Sequence, residues 1–204
     1  MIFLHHEQNT PAWLEARRGR FTGSEFGKFV MRKDKTAEKA FQNNIDEKIG
    51  EEVDGDDCAP SWENYEMKRG KMLESSALAA YESHTGHEVE KVGLAIHETL
   101  ALGFSADAMV NQRSFGLELK CPTGKIQWQR LREKIVPDCY LCQIHGSMFL
   151  MGCEHWDFFS WHHNMPALYL RVYRATFTEE LGAGLLAFAH ELETQKAALA
   201  AMKA

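Results

Sequence analysis

The sequence has no long apolar segment. None of its hydrophobic runs approaches the ~18 residues that a membrane-spanning helix requires. The first seven residues, Met1 to Glu7, also lack the basic flank and apolar stretch of a secretory signal. We therefore expect a protein that does not contact membranes and acts in the cytoplasm.

Cysteine is scarce as well. Five cysteines cannot form an even disulfide framework, and a chain of 204 residues buries enough core to need none, so we expect reduced thiols. The spacing Cys139-x-x-Cys142, with His145 nearby, is that of half a zinc site. No second pair follows at a suitable spacing, and helix packing is the simpler interpretation.

Positive charge is limited, since the net charge is −6. A protein that coats nucleic acid needs clustered Lys and Arg side chains, so any DNA site must be local. Basic clusters do occur at 17–20 and 32–35, and an acidic cluster occurs in the segment 50–60, which we interpret as an exposed loop. Solvated surface is the more common explanation of such clusters. They comprise Arg17, Arg18, Arg20, Arg32, Lys33 and Lys35, and Glu51, Glu52, Asp54, Asp56 and Asp57.

The composition is that of a globular protein, with 45% hydrophobic and 25% charged residues, and it suits one domain over residues 1–204.

Thr10-Pro11 is typical of a helix start, and Thr22-Gly23-Ser24 predicts a second start whose N–H groups would suit an anion. Helices and strands alternate in an α/β or mixed pattern without internal repeats. The predicted helices are 11–19, 25–30, 36–52, 62–85, a helix from 137 and one from 178 to the end; the strands are 89–92, 94–96, 115–121, 156–161 and 168–173.

One constellation carries chemistry: Asp107 followed, after ten residues, by Glu118-Leu119-Lys120. Alternate side chains of a strand share a face, so Glu118 and Lys120 point together. If the preceding strand pairs with this one through a hairpin, Asp107 comes beside Glu118. Two hard carboxylates suit Mg²⁺, whereas zinc favours His and Cys. We expect Mg²⁺, as two ions, with Mn²⁺ as a substitute. A lysine held near such cations would have its charged form disfavoured and could act as a base or orient water.

Four stretches in the same order resemble the lambda exonuclease family, the YqaJ-like phage recombination nucleases of the PD-(D/E)XK superfamily. They span about residues 12 to 150. They are Ala12-Trp13-Leu14-Glu15-Ala16-Arg17-Arg18-Gly19 with Thr22-Gly23-Ser24-Glu25, Gly70-Lys71-Met72-Leu73-Glu74, Ser105-Ala106-Asp107 with Gly116-Leu117-Glu118-Leu119-Lys120-Cys121-Pro122, and Tyr140-Leu141-Cys142-Gln143. The resemblance implies an α/β, restriction-endonuclease-like core with a central mixed sheet flanked by helices.

The resemblance also implies roles for single residues. Asp107, Glu118 and the Leu119 backbone carbonyl would be metal ligands, Lys120 the catalytic lysine and Glu74 a further acidic residue of the site. A pocket for the terminal 5′-phosphate would be formed by Arg17, Ser24, Ser105 and Gln143. Met67 stands where the family carries an apolar residue thought to wedge into the duplex end, although a core methionine explains it at least as well.

The family's Ser-Pro-Asp-Gly turn is replaced here by Ser105-Ala106-Asp107-Ala108, which puts the hairpin shape in question but keeps the ligand. The implied activity is Mg²⁺-dependent 5′-to-3′ digestion of double-stranded DNA ends into 5′-mononucleotides, leaving a 3′ overhang for homologous recombination. The implied partners are a ring-shaped homotrimer of the chain itself and a single-strand annealing recombinase.

Two alternatives stay open on the sequence. One is a superfamily nuclease of other polarity, such as an endonuclease or a helicase-associated nuclease; its iron–sulfur variants need four suitably placed cysteines, which are not evident. The other is a non-enzymatic DNA-end-binding protein on the same fold. The intact set of Asp107, Glu118 and Lys120 speaks against the second alternative, because a degenerate copy has no chemical need for it.

Overall fold

A computed structural model describes residues 1–30, 36–55 and 65–203. Strands and helices alternate along the chain, as the sequence patterns predict. The strands are β1 (Ile2–Leu4), β2 (Phe21–Thr22), β3 (Val89–Glu90), β4 (Leu94–Ile96), β5 (Leu102–Phe104), β6 (Ala108–Val110), β7 (Phe115–Lys120), β8 (His155–Ser160) and β9 (Leu168–Tyr173). The helices are α1 (Pro11–Arg17), α2 (Gly27–Val30), α3 (Thr36–Asp54), α4 (Tyr65–Thr85), α5 (Gly124–Glu133), α6 (Asp138–Met151) and α7 (Thr176–Met202), with a 3-10 turn at Gly23–Glu25.

The central sheet has five strands in the order β3-β6-β7-β8-β9. β7 and β8 run parallel, with Leu117 opposite Asp157 and Lys120 opposite Ser160, and the other pairs are antiparallel. A parallel pair is normally covered on both faces. β7 obeys this rule, because its side chains from Phe115 to Leu119 are buried.

A smaller mixed sheet, in the order β1-β4-β5-β2, carries the amino-terminal part of the chain. β5 pairs antiparallel with β4 and parallel with β2, so Phe21 lies opposite Leu102. The 3-10 turn that follows β2 is thereby held beside the end of β5. Phe21 and Phe26 pack with Phe188 and its neighbours on α7, which forms a second apolar cluster.

Helices cover both faces of the central sheet. On one face α4 contacts β8, where the Tyr81 ring meets Phe159 edge-on at 5.5 Å between centroids. On the other face α6 lies over β7 and β8, where Tyr140 stacks near Phe158 at 5.7 Å. α7 covers α6 in turn, and the close approach leaves no room for a side chain at Gly182 against Phe149.

Most of the predicted elements are confirmed, with three differences. The segment 50–60 is wrong as a loop over its first residues, because α3 continues to Asp54. Glu51 pairs with Lys48 of the same helix and accepts the Gly19 N–H at 3.1 Å, whereas Glu52 pairs with Lys196 of α7. α5 has no predicted counterpart, and neither do the short strands β1, β2 and β5. The described residues do not include seven side chains of the segments discussed above: Arg32, Lys33, Lys35, Asp56, Asp57, Cys58 and Trp62.

Over the described ranges, no helix has the length and apolar character that crossing a membrane requires.

The face under α4 is organised by a buried carboxylate. Asp157 has no exposed surface and accepts hydrogen bonds from the hydroxyls of Tyr81 at 2.7 Å and Tyr169 at 3.0 Å. Arg171 adds an ion pair, with Nε 2.8 Å from Oδ1. The anion thus joins α4, β8 and β9 in one network.

We expect Asp157→Ala to lower the free energy of unfolding by about 3–5 kcal/mol, because it leaves a cation and two hydroxyls without their acceptor. Chemical denaturation of both proteins measures the difference. Glu154→Ala, an exposed acid next to the same strand, is the matched control and should change stability by less than about 0.5 kcal/mol. Equal effects of the two substitutions would contradict the role of the network.

Candidate active site

The hairpin of β6 and β7 places Asp107 beside the end of β7. The turn Asn111–Ser114 closes it, with Asn111, Gln112 and Arg113 all at positive φ. Ala108 then lies opposite Leu117, and the Asp107 carboxylate accepts the Leu119 N–H at 2.6 Å. The hairpin therefore forms without the proline and glycine of the family turn.

Glu118 lies on the α6 face of the sheet and is 1% exposed. Its Oε2 accepts a hydrogen bond from the Gln143 amide at 2.7 Å, and its Oε1 forms an ion pair with Lys120. Lys120 Nζ is also 3.5 Å from Asp107 Oδ2 and lies over the Tyr140 ring, 5.2 Å from its centroid. The structure thus brings Asp107, Glu118 and Lys120 together.

The charges of this group shift the pKa values of Glu118 and Lys120. Burial raises the pKa of Glu118 to about 7, with Asp107 acting in the same direction and Lys120 opposing it. Burial disfavours the ammonium form of Lys120, but the carboxylates of Asp107 and Glu118 outweigh burial and raise its pKa. Anions are thus the nearest neighbours of Lys120 in the protein alone, and the disfavoured ammonium form expected beside divalent cations stays a prediction.

The donor set of the site suits a hard divalent cation. The carboxylates of Asp107 and Glu118 flank the Leu119 peptide, and Glu118 Oε1 is buried beside the Lys120 ammonium. Among residues 1–30, 36–55 and 65–203, no three Asp, Glu, His or Cys side chains gather into one metal-binding group. Mg²⁺ keeps several waters and takes one or two carboxylates, so two side chains are enough for it.

Gln143 connects this group to the residues of the expected phosphate pocket. It lies on α6 against the 3-10 turn, where a Cβ added at Gly23 would be 3.3 Å from Gln143 Cγ and 3.6 Å from Phe104 Cβ. Ser105 follows Phe104 directly. No hydrogen bond among the described residues joins Ser105 to Arg17, Ser24 or Gln143.

Arg17 and Ser24 do contact each other, with Arg17 Nη2 donating to Ser24 Oγ at 3.1 Å. The Arg17 guanidinium also lies over the Trp13 ring at 5.0 Å from its centroid. The helix predicted over 25–30 begins only at Gly27, as α2, and the turn after Thr22 precedes it. The turn is of the 3-10 type, and the Thr22 amide and hydroxyl both donate to Glu25 Oε2.

Glu25 is a residue whose role the sequence analysis missed. It is 7% exposed and forms ion pairs with Lys48 at 2.9 Å, Lys28 at 3.2 Å and Arg17 at 3.5 Å. Burial by itself would raise its pKa, but Lys48, Arg17 and Lys28 outweigh burial and lower the pKa to about 2. The carboxylate therefore joins Arg17 of α1, Lys28 of α2 and Lys48 of α3. The spacing Thr22-x-x-Glu25, typical of a capping box, is the sequence signal for it.

Glu74 lies on α4 near the same end of β7. Its carboxylate pairs with Lys91 at 2.7 Å, and its charge acts together with that of Asp107 on the Cys121 thiol, whose pKa burial and these anions raise to about 11. Arg69, on the same helix, donates to the carbonyls of Cys121 at 2.7 Å and Pro122 at 2.8 Å. α4 is thus fastened to the segment after Lys120. Met67 lies on α4, but its side chain is outside the described residues.

The family model of the YqaJ-like viral recombinase domain matches residues 12–154. The chain belongs to this family. A search of curated proteins gives no match.

Solved structures of similar proteins extend over nearly the whole YqaJ-like chain. The alkaline exonuclease LHK-Exo from Laribacter hongkongensis is 29% identical with a TM-score of 0.77, over 96% of this chain and 100% of that chain. LHK-Exo in complex with dAMP gives 28% identity and a TM-score of 0.73, over 95% and 100%. A phage related exonuclease from Haemophilus somnus 129PT shares the fold, at 14% identity and a TM-score of 0.62, over 88% and 96%. The predicted restriction-endonuclease-like α/β fold is confirmed.

The cysteine pair of this YqaJ-like chain has other neighbours than a metal. Cys142 is buried against Gly27, where an added Cβ would be 3.5 Å from its side chain, while Cys139 is exposed. His145 Nδ1 lies 2.8 Å from the Thr178 hydroxyl of α7. Packing accounts for Cys142 and hydrogen bonding for His145.

We expect Glu25→Gln to destabilise the protein by about 3 kcal/mol near neutral pH, since a pKa lowered from 4.5 to about 2 corresponds to that free energy. The lowered pKa means that the stabilisation is complete above pH ~4.5 and is lost as the pH falls towards 2. The difference between the two proteins in urea unfolding should therefore shrink over that range. A difference independent of pH would contradict the assignment.

Proposed function

We propose that this protein is a Mg²⁺-dependent exonuclease that digests double-stranded DNA from the 5′ end, releases 5′-mononucleotides and leaves a 3′ single-stranded overhang. One observation carries the proposal: Gln143 contacts both Glu118 and the turn that bears Ser24. The side chains suited to cutting a phosphodiester and those suited to holding a terminal phosphate thus meet at a single amide.

The residues divide the chemistry between them. Asp107, Glu118 and the Leu119 carbonyl would hold Mg²⁺, which supplies charge stabilisation for the oxygens of an in-line displacement at phosphorus. Lys120 is placed by the two carboxylates so that its ammonium donors can orient an attacking water or a phosphate oxygen. Glu74, on α4, would add a negative charge that attracts water molecules of the site.

The direction of digestion comes from the second group of residues. The Arg17 guanidinium and the hydroxyls of Ser24 and Ser105, together with Gln143, are donors that match a terminal phosphate: one cation plus neutral groups. A phosphate gripped there would draw the cut strand forward by one nucleotide after each release. The related LHK-Exo forms a complex with dAMP, a deoxynucleoside monophosphate of the product class proposed here.

The proposal includes partners. Three copies would form a ring around the duplex, which allows a chain of net charge −6 to keep its few basic groups for the DNA path. A single-strand annealing recombinase would receive the overhang. Membership of the YqaJ-like viral recombinase family supports a role in recombination. A solution mass three times the 23.3 kDa of the chain would support the ring.

The cutting residues are tested with Glu118→Gln, which keeps the shape but removes the metal-binding charge. We expect release of mononucleotides from linear duplex in Mg²⁺ to fall by at least about 10³-fold, because the metal site loses one of two carboxylates. Acid-soluble nucleotide release measures it, with closed circular DNA as the substrate control. Cutting of the circle would exclude an exonuclease, and full activity of Glu118→Gln would exclude the proposed site.

The phosphate pocket is tested with substrates that carry a 5′-phosphate or a 5′-hydroxyl. We expect the wild type to prefer the phosphate by about 10–100-fold and Arg17→Met to lose most of that preference, because a charge-assisted contact contributes about 1.5–3 kcal/mol. Arg20→Met is the matched control, since Arg20 binds the carbonyls of Ala16 and Leu100. Equal digestion of both ends by the wild type would contradict the pocket.

A further inference from the structure

Helix α5 follows the catalytic strand directly and has two different faces. Gln127 and Arg130 are buried, whereas Lys125, Trp128, Gln129 and Arg132 are exposed at the spacing of one helix face. Trp128 keeps 58% of its surface exposed. We refer to Lys125, Trp128 and Arg132 as the α5 outer face.

We propose that the α5 outer face binds unpaired DNA, namely the uncut strand that digestion leaves behind at the active centre. The identification of this strand rests on the proposed exonuclease function; the affinity for single-stranded DNA does not.

Charge is the first argument. The segment 124–134 carries four basic residues and one acidic residue, in a chain whose net charge is −6. In the part of the chain that the structure describes, Lys125 and Arg132 form no ion pair with a carboxylate. The acid of the segment, Glu133, accepts a hydrogen bond from Gln129 at 3.0 Å. A local cationic face on an acidic protein fits a phosphate backbone.

The exposed ring is the second argument. A tryptophan between cations is the combination with which proteins hold single strands, since bases stack on the ring while basic groups follow the backbone. Duplex DNA offers its bases only at the groove edges, because the rings are stacked on each other. Trp128 therefore favours an unpaired strand over a duplex.

Location is the third argument. Gln127 Nε2 donates to the Ser160 carbonyl at 3.0 Å, and Arg130 Nη1 donates to the Ser160 hydroxyl at 2.9 Å. Ser160 lies opposite Lys120 in the sheet, so the buried face of α5 is fixed beside the catalytic lysine. The Arg130 guanidinium also bonds the Tyr140 hydroxyl at 3.2 Å, on the helix that carries Gln143.

The first residues of α5 lie near the segment after β8. A Cβ added at Gly124 would be 3.8 Å from the His162 ring, whose pKa is lowered by burial and by the charges of His163 and of Arg69 on α4. Removal of a nucleotide from one DNA strand at Lys120 leaves the complementary nucleotide unpaired at this end of the sheet. The α5 outer face is thus next to the place where single-stranded DNA first forms.

The test is the binding of a fluorescein-labelled oligothymidylate and of a labelled blunt duplex, by anisotropy in EDTA so that nothing is cut. We expect Trp128→Ala to weaken oligothymidylate binding by about 5- to 100-fold, from the loss of stacking, and Trp128→Tyr to restore most of it. Tyr173→Ala is the matched control, because Tyr173 is 65% exposed at the opposite end of the same sheet and should have no effect.

Salt dependence gives a second readout. Lys125→Gln and Arg132→Gln should each reduce the slope of log affinity against log salt by about 0.7 for the oligothymidylate, one phosphate contact apiece. Thermal unfolding and solution mass of every variant show whether fold and assembly are retained.

Unchanged oligothymidylate affinity of Trp128→Ala would overturn the proposal. An equal loss for blunt duplex and oligothymidylate would overturn it as well, since the face would then hold duplex backbone. A change in solution mass would assign the face to contact between protein chains instead. Because these measurements need no cleavage, a failure of the exonuclease assays leaves the binding result intact, and the reverse holds too.

Discussion

Burying the Glu118 carboxylate is the constraint around which the active centre is built. A charge taken out of water is costly unless it is paired and hydrogen-bonded. The chain offsets this cost with two side chains, Lys120 from the same strand and the Gln143 amide from α6. The neighbouring Asp107 carboxylate, which is held by the backbone of β7, adds repulsion that these two partners must also overcome. The fold of the central sheet and the packing of α6 are thus conditions for the site to exist.

The same constraint explains what the sequence could predict. Alternation along β7 is enough to place Glu118 and Lys120 on one face, and the hairpin then brings Asp107 next to them. The Gln143 contact is not available from periodicity, because it depends on how α6 crosses the sheet. The motif resemblance supplied that residue, while the reason for its position emerges only from the packing of Gly23 against it.

Other features escaped prediction for identifiable physical reasons. α5 has a mostly polar sequence and a Thr123 cap that makes no side-chain hydrogen bond, so local signals for it are weak. It is fixed instead by Gln127, which bonds to Ser160 and Pro166 more than thirty positions away, and by Arg130, which also bonds to Ser160. Glu25 was missed in a similar way, since its partner Lys48 comes from α3. Short-range patterns predict elements, whereas these buried polar side chains decide how the elements dock.

The two-faced character of α5 also bears on how such a nuclease can change over time. Its inner residues bind Ser160 of β8 and Tyr140 of α6, so a substitution there would disturb the elements that pack beside the catalytic strand. Its outer residues contact solvent and do not hold these elements in place. Substitutions at a few surface positions can consequently change the affinity for a substrate during evolution, while the catalytic residues and their packing stay the same.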